Sequence, residues 1–336
     1  MNTFTITKDD LRVIKSLIAD ISDFTLHSHA LDSYMKFKWL AMQAHRLPSE
    51  LIQFLVRFKY EEDNEGVALV KGFEIDDKRI ANTPKHWRDP EAADRTQAES
   101  IFLLLCSALL GDAVGWSTQQ DGKIVHDIVP IKGDEYNQVG SSALTELWWH
   151  TEEAFHPFRC DYLALLCLRN EEKAATSFAS VNSLHISAED KAVLFEPHYS
   201  IYPDISHLAE ENGSKDTEGM SKMKEEPVRT SVLFGNYENP YLCIDPYYMG
   251  KNISYEPAER ALKNIANEID HNLKRVVLQP GDMILLDNYR VVHGRDAFDA
   301  HYDGTGRWLK RVNVVRDLRK SRALRSHSES RVIETA

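Results

Sequence analysis

The first residues whose types and spacing can do chemistry are His150 and Glu152, in LWWHTEEAFH. On an extended strand, residues two apart point to the same face. Imidazole and carboxylate would then address one point, while Thr151 and Glu153 face away. A metal ion needs a third donor. His293 supplies one, in LQPGDMILLDNYRVVHGRDAF, on a loop that follows an expected strand over 282–286. Two histidines and a carboxylate make a facial triad with open positions, the arrangement a non-haem iron(II) oxygenase needs. Zinc accepts the same donors, so a zinc hydrolase or a non-catalytic metal-binding β-sandwich is the rival of another class.

The chain has fourteen histidines, and an isolated His-x-Glu would be a weak signal. A basic strand beyond His293 strengthens it. In Arg307-Trp308-Leu309-Lys310-Arg311-Val312-Asn313, alternation puts Arg307, Leu309, Arg311 and Asn313 on one face. A buried arginine needs an anionic partner, and its planar fork suits a carboxylate. Two such arginines fit two carboxylates, one on a co-substrate and one on a substrate. Pairing with internal Asp or Glu is the plain alternative, but a hydrolase has no need of this strand.

The elements that must position these groups follow from periodicity. Leu11, Ile14, Leu17, Ile18 and Ile21 recur at helical spacing behind a Thr7/Asp10 capping box. Further helices are expected over about 29–46, from Ser49 as cap through Phe58, and over about 91–111. A β run, VALVKGF, follows Gly66. From Val114 the pattern becomes short strands separated by turns: near 114–119, 123–129, 147–152, 161–168, 175–181, 229–235, 241–245, 274–278, 282–286 and 307–315. Helices near 187–195 and 256–272 interrupt them. This predicts an α+β, mainly β, fold in which a β-sandwich carries packed N-terminal helices. It is read as one domain over 1–336: a helical layer to 112, a β core over 113–316 and a tail over 317–336. The tail is expected to be a surface helix or a frayed end. The polar stretch 204–228 reads either as a solvated insert or as a lid over a substrate. Trp148, Trp149 and Phe155 read as core or pocket wall.

Composition narrows the partners. The 336 residues are 43% hydrophobic and carry a formal net charge of -12, with a pI near 5.6. Such a surface repels phosphate backbones and argues against nucleic acid, while mildly favouring a small cationic substrate. The four cysteines form no C-x-x-C pair and fit a cytoplasmic, reducing setting. The most apolar run, Ile101–Leu110, is too short to cross a bilayer. Apolar N-terminal helices permit a homo-oligomer without requiring one.

HTEEAFHP, PGDMILLDNYRVVHGR and RWLKR together resemble the clavaminate synthase-like iron(II)- and 2-oxoglutarate-dependent oxygenases. Within that group the chain is similar to the bacterial hydroxylases of free amino acids, from about residue 67 to Val315. The resemblance implies a distorted double-stranded β-helix, or jelly roll. It implies His150, Glu152 and His293 as iron ligands, and Arg307 with Thr176 as the holders of the far carboxylate of 2-oxoglutarate. It implies that Gln119, in TQQDGK, meets the substrate α-amino group and Arg311 its α-carboxylate, with Ser141 or Ser142 lining the pocket. The reaction implied takes 2-oxoglutarate and dioxygen to succinate and carbon dioxide while a C–H bond of the amino acid is hydroxylated.

The substrate reading turns on Asp245 in LCIDPYYM. By resemblance it matches an acid that contacts the substrate side chain in arginine oxygenases, which place two acids one residue apart. Here the second position is Tyr247. One carboxylate and a phenol suit a compact ammonium, so the expectation is L-lysine. The lysine enzymes it resembles hydroxylate C3 or C4, and C4 is the expectation here. L-Arginine and citrulline are the alternatives. Asp245 also reads simply as a turn residue before Pro246.

Overall fold

The computed structural model describes residues 1–27, 33–207, 217–249 and 253–334. Two sheets face each other. The larger is built from β1 (Asn2–Thr5), β2 (Val67–Lys71), β3 (Asp112–Trp116), β4 (Val125–Ile128), β6 (Tyr162–Arg169), β13 (Met283–Asp287), β15 (Trp308–Val315) and β16 (Val332–Ile333). Its order is β1-β2-β13-β6-β15-β3-β16, with β4 also on β15. The smaller sheet holds β5 (Leu147–His150), β7 (Thr176–Ser180), β12 (Lys274–Val276) and β14 (Val291–Arg295), in the order β12-β7-β14-β5. Two short ribbons flank it: β8 (Tyr199–Ser200) with β9 (Arg229–Thr230), and β10 (Leu233–Gly235) with β11 (Pro240–Leu242). This is the expected jelly roll.

Strand periodicity explains the layering. Along β6, Leu163, Leu165 and Cys167 face inward, where they join Phe178, Val291 and Leu309 between the sheets. Ala164, Leu166 and Leu168 face outward, against the helices. Those helices are α1 (Lys8–His27), α2 (Ser33–Gln43), α3 (Ser49–Tyr60), α4 (Asp77–Ile80), α5 (Pro90–Arg95) and α6 (Gln97–Leu110). The outer face of the smaller sheet is covered by α7 (Ala188–Leu194) and α9 (Glu256–Asn272). The capping box forms as expected: Thr7 N–H donates to Asp10 Oδ2 at 3.0 Å, and Asp10 N–H to Thr7 Oγ1 at 3.1 Å. No helix among the described residues is long and apolar enough to cross a membrane.

Several boundaries differ from the sequence reading. The helix expected over 91–111 breaks at Thr96, whose φ of -113° is not helical. Ser49 is the first helical residue, and Pro48 precedes it without a side-chain cap. The helix expected over 29–46 ends as a 3-10 turn, and residues 28–32 lie outside the described set. The strand expected over 229–235 is two strands in separate ribbons, and Asp245 lies three residues beyond β11. His293 sits on strand β14, not on a loop. In the polar stretch, 205–207 is a 3-10 turn and Thr217–Glu225 is helix α8, while 208–216 fall outside the described residues. The tail is neither a surface α-helix nor a frayed end. It forms a 3-10 stretch and then β16, which pairs parallel with β3 and buries Ile333.

The turn between β12 and β13 opens the strand that precedes His293, the third member of the triad. Gly281 has φ +87°, and a Cβ there would stand 1.7 Å from the Phe73 carbonyl oxygen. Gly281→Ala is expected to cost more than about 1 kcal/mol, through both strain and collision. Urea unfolding with an unchanged midpoint would refute this.

Candidate metal centre and substrate cavity

His150 ends β5 and His293 lies opposite it on β14, so antiparallel pairing brings the rings together. Their centroids are 4.7 Å apart. Glu152 Oε2 stands 3.5 Å from His150 Nε2 and 3.4 Å from His293 Nε2. Metal–donor bonds of about 2.1 Å put neighbouring donors about 3 Å apart, so these separations fit one ion. His150 Nδ1 lies 2.9 Å from the Trp148 carbonyl. Donation there holds the proton on Nδ1 and leaves the Nε2 lone pair for a metal.

Glu152 is not on the strand. β5 stops at His150, and 152–155 form a turn. Asn288 clamps that turn: Glu152 N–H donates to Asn288 Oδ1 at 2.8 Å, and Asn288 Nδ2 donates to the Glu152 carbonyl at 3.0 Å. Sequence reasoning missed Asn288. Its signal was a side-chain amide in a strand-to-strand turn just upstream of His293. Glu153 is a correction too. It was expected to face away, yet it is buried at φ +53° and touches His207. Thr118 Oγ1 lies 2.7 Å from His207 Nδ1, so this buried pair ties 205–207 to the turn.

Arg311 sits behind the triad. Its Nη1 donates to Glu152 Oε1, the oxygen turned away from the histidines. Its Nη2 reaches Gln119 Oε1 and His126 Nδ1. Burial works against the Glu152 carboxylate. Arg311 and the two histidines outweigh it and hold its pKa well below the usual range. With Oε1 occupied, Glu152 offers a metal one oxygen and leaves the opposite positions open.

One cavity opens onto the triad. Its wall includes Gln119, Thr176, Asp245, Arg307 and Arg311. Arg307 is 5% exposed and makes no side-chain hydrogen bond or ion pair among the described residues. Burial pulls its pKa down to about 10. A buried guanidinium in that state is matched to an incoming carboxylate. Asn313, expected on the same face, is buried away from the cavity. Ser141 lines the cavity, whereas Ser142 turns aside to accept from Arg295 Nη2 at 2.8 Å. Arg295, which the sequence reading did not single out, also donates to the Thr145 carbonyl at 3.0 Å and so fastens that segment to β14.

Also on the cavity wall, Asp245 Oδ1 accepts from the backbone N–H groups of Tyr247 and Tyr248 at 3.2 and 3.3 Å. Burial pushes its pKa up to about 6, with His150 opposing and Asp204 adding to the rise. Asp204, carried in by the 204–207 segment, lines the same cavity as Tyr247. It was not foreseen, because its distance in sequence from Asp245 hides their proximity.

The profile of the family described as "Taurine catabolism dioxygenase TauD, TfdA family" matches residues 63–313. The L-ornithine/L-arginine 3-hydroxylase of Catenulispora acidiphila is 39% identical over 99% of this chain and 100% of its own. The enduracididine beta-hydroxylase of Streptomyces hygroscopicus is 37% identical over the same shares. L-Lysine hydroxylases stand further off, at 31% identity or less. The crystal structure of the non-haem iron oxygenase OrfP with Fe, succinate and (3S)-hydroxy-L-Arg superposes with a TM-score of 0.92. It is 38% identical, over 99% of this chain and 100% of that one. Another OrfP structure holds Fe and alpha-ketoglutaric acid. The His-Glu-His cluster fits that metal, and the unpartnered Arg307 fits that co-substrate. The chain belongs to the TauD/TfdA family and is an iron- and 2-oxoglutarate-dependent oxygenase.

Proposed function

We propose that this oxygenase hydroxylates a free basic L-amino acid of the ornithine–arginine class at C3. The observation that carries the reading is the pair of carboxylates, Asp245 and Asp204, in the cavity that opens onto the metal triad. The expectation of L-lysine follows from Tyr247 standing where a second acid would be, and the preference for C4 has no residue behind it. Asp204 supplies that acid from another segment, and two carboxylates suit a broad guanidinium or a well-solvated terminal ammonium. The greater identity to the ornithine/arginine and enduracididine enzymes supports the same choice, including C3.

In this reading His150, Glu152 and His293 hold Fe(II). Bound iron with 2-oxoglutarate and dioxygen supplies the oxidising power that replaces C–H by C–OH, releasing succinate and carbon dioxide. The chain supplies placement. Arg307 and Thr176 anchor the far carboxylate of 2-oxoglutarate. Arg311 and Gln119 take the substrate α-carboxylate and α-amino group, with Ser141 beside them. Asp245 and Asp204 hold the cationic end. Fixing both ends of a short chain leaves its middle carbons facing the metal, where orientation does the selecting. The 204–207 segment, anchored through His207, closes one wall and helps exclude water.

The test is to load the protein with Fe(II) without air, add 2-oxoglutarate, then admit air with one free amino acid at a time. Arginine or ornithine gaining one oxygen at C3 supports the proposal, and turnover of lysine alone overturns it. Asp245→Asn is expected to lower kcat/KM for the cationic substrate at least about 30-fold, since it removes one partner of a buried charge. Citrulline, which carries no side-chain charge, should lose far less. An equal loss for both would place Asp245 outside the side-chain site.

A further inference from the structure

His126 has no part in the site as assigned above, yet it is 1% exposed and touches the centre of it. It lies on β4 directly across from Arg311 on β15. Its Nε2 is 2.8 Å from the Lys123 carbonyl, which can only accept, so the ring proton sits on Nε2. Nδ1 is then a lone pair, 2.7 Å from Arg311 Nη2. Burial, then the charge of Arg311, hold the ring pKa well below its ordinary value. The imidazole is therefore a neutral, one-tautomer acceptor.

That acceptor fixes how Arg311 is rotated. With Nη2 held by His126 and Gln119, Nη1 falls on Glu152 Oε1, and Oε2 is left for the histidine side. Arg311 Nε has no partner among the described residues. A rotated guanidinium would release Oε1 and allow Glu152 to bind a metal through both oxygens. We propose that His126 is a positioning residue: through Arg311 it keeps Glu152 a one-oxygen ligand and keeps the donor that meets the amino-acid carboxylate in place. The inference rests on the proposed roles of Arg311 and Glu152.

The contrast is His126→Leu against His126→Asn. Asn can keep an acceptor near the Nδ1 position, and Leu cannot. For His126→Leu, KM for the amino acid should rise about 10- to 100-fold, the loss of one hydrogen bond to a charged group. KM for 2-oxoglutarate, held elsewhere, should stay within about threefold. Without turnover, the visible absorption of the Co(II)-substituted protein should change band position and intensity in His126→Leu, as the carboxylate changes denticity. His126→Asn should restore the KM and the spectrum to near wild type. Equal rises in both KM values, or a Leu variant with the wild-type cobalt spectrum, would overturn the positioning role. So would an Asn variant no better than Leu in a protein that melts normally. If wild type itself hydroxylates no amino acid, the proposed function fails, and that result is distinct from any difference between these variants.

Discussion

His293→Ala is expected to abolish tight iron binding and to lower hydroxylation by well over 100-fold. Loss of a group merely hydrogen-bonded to a ligand already costs about 10- to 100-fold, and His293 is one of three donors. The ring is 7% exposed and shares Glu152 with His150, so its removal leaves two donors that cannot define an open, three-point site. Fold stability should change little, because β14 is held by backbone pairing to both β5 and β7. Three measurements check this. Metal titration should show Fe(II) bound by wild type and not by the variant. Added Fe(II) should raise the melting temperature of wild type, since a ligand that binds only the folded state stabilises it, and leave the variant unmoved. Wild type loaded with Zn(II) should be inactive. A hydrolase that works with zinc and ignores 2-oxoglutarate would sink the oxygenase assignment. Full activity in His293→Ala would sink the triad.

The triad was legible because it is written in local spacing plus a motif order, although one of the arguments for it was incomplete. Strand alternation was taken to align His150 with Glu152, but the strand stops at His150. What aligns the carboxylate is Asn288, whose amide grips both backbone groups of Glu152 from across the fold. The same early strand end explains Glu153, which turns inward at positive φ to meet His207. A β-sandwich was readable from many short strands with turns between them, the jelly roll followed only from the family resemblance, and α9 was placed at its observed ends. Which strands pair was not readable. His126 opposite Arg311, and Asp204 in the same cavity as Asp245, bring together residues 185 and about 40 apart in sequence. Nothing in a local period encodes such pairings. The tail was misjudged for a related reason. Its basic, polar composition suggested fraying, whereas Arg325 is 5% exposed, with its guanidinium donating to the Ser328 and Ser330 carbonyls at 2.7 and 2.8 Å.

Arg307→Met should move binding and stability in opposite directions. In the ligand-free protein the buried Arg307 lines the cavity, with no ion-pair partner among the described residues. The Phe298 ring lies 5.9 Å from the guanidinium carbon, and Glu172, which accepts from the Arg307 backbone N–H at 3.1 Å, favours the charge. Burial outweighs the favourable Cys167 and Glu172 charges and brings its pKa down to about 10, consistent with a folded-state cost for holding this charge. An apolar side chain of similar length removes that cost, so the metal-free, co-substrate-free variant should melt at or above the wild-type temperature. The same change deletes the forked donor proposed for the far carboxylate of 2-oxoglutarate. Leaving that carboxylate desolvated and unpaired costs about 3–5 kcal/mol, or roughly a hundredfold to several thousandfold in affinity. Thermal melts with and without 2-oxoglutarate under anaerobic Fe(II) separate the two effects. Wild type should be stabilised by the co-substrate and the variant should not, even though the variant starts no lower. A variant that melts well below wild type while still responding to 2-oxoglutarate would mean that Arg307 is a structural ion-pair partner and that the co-substrate is anchored elsewhere. In the proposed role, a buried cation with no ion-pair partner among the described residues would favour an acid long enough to reach it from the metal.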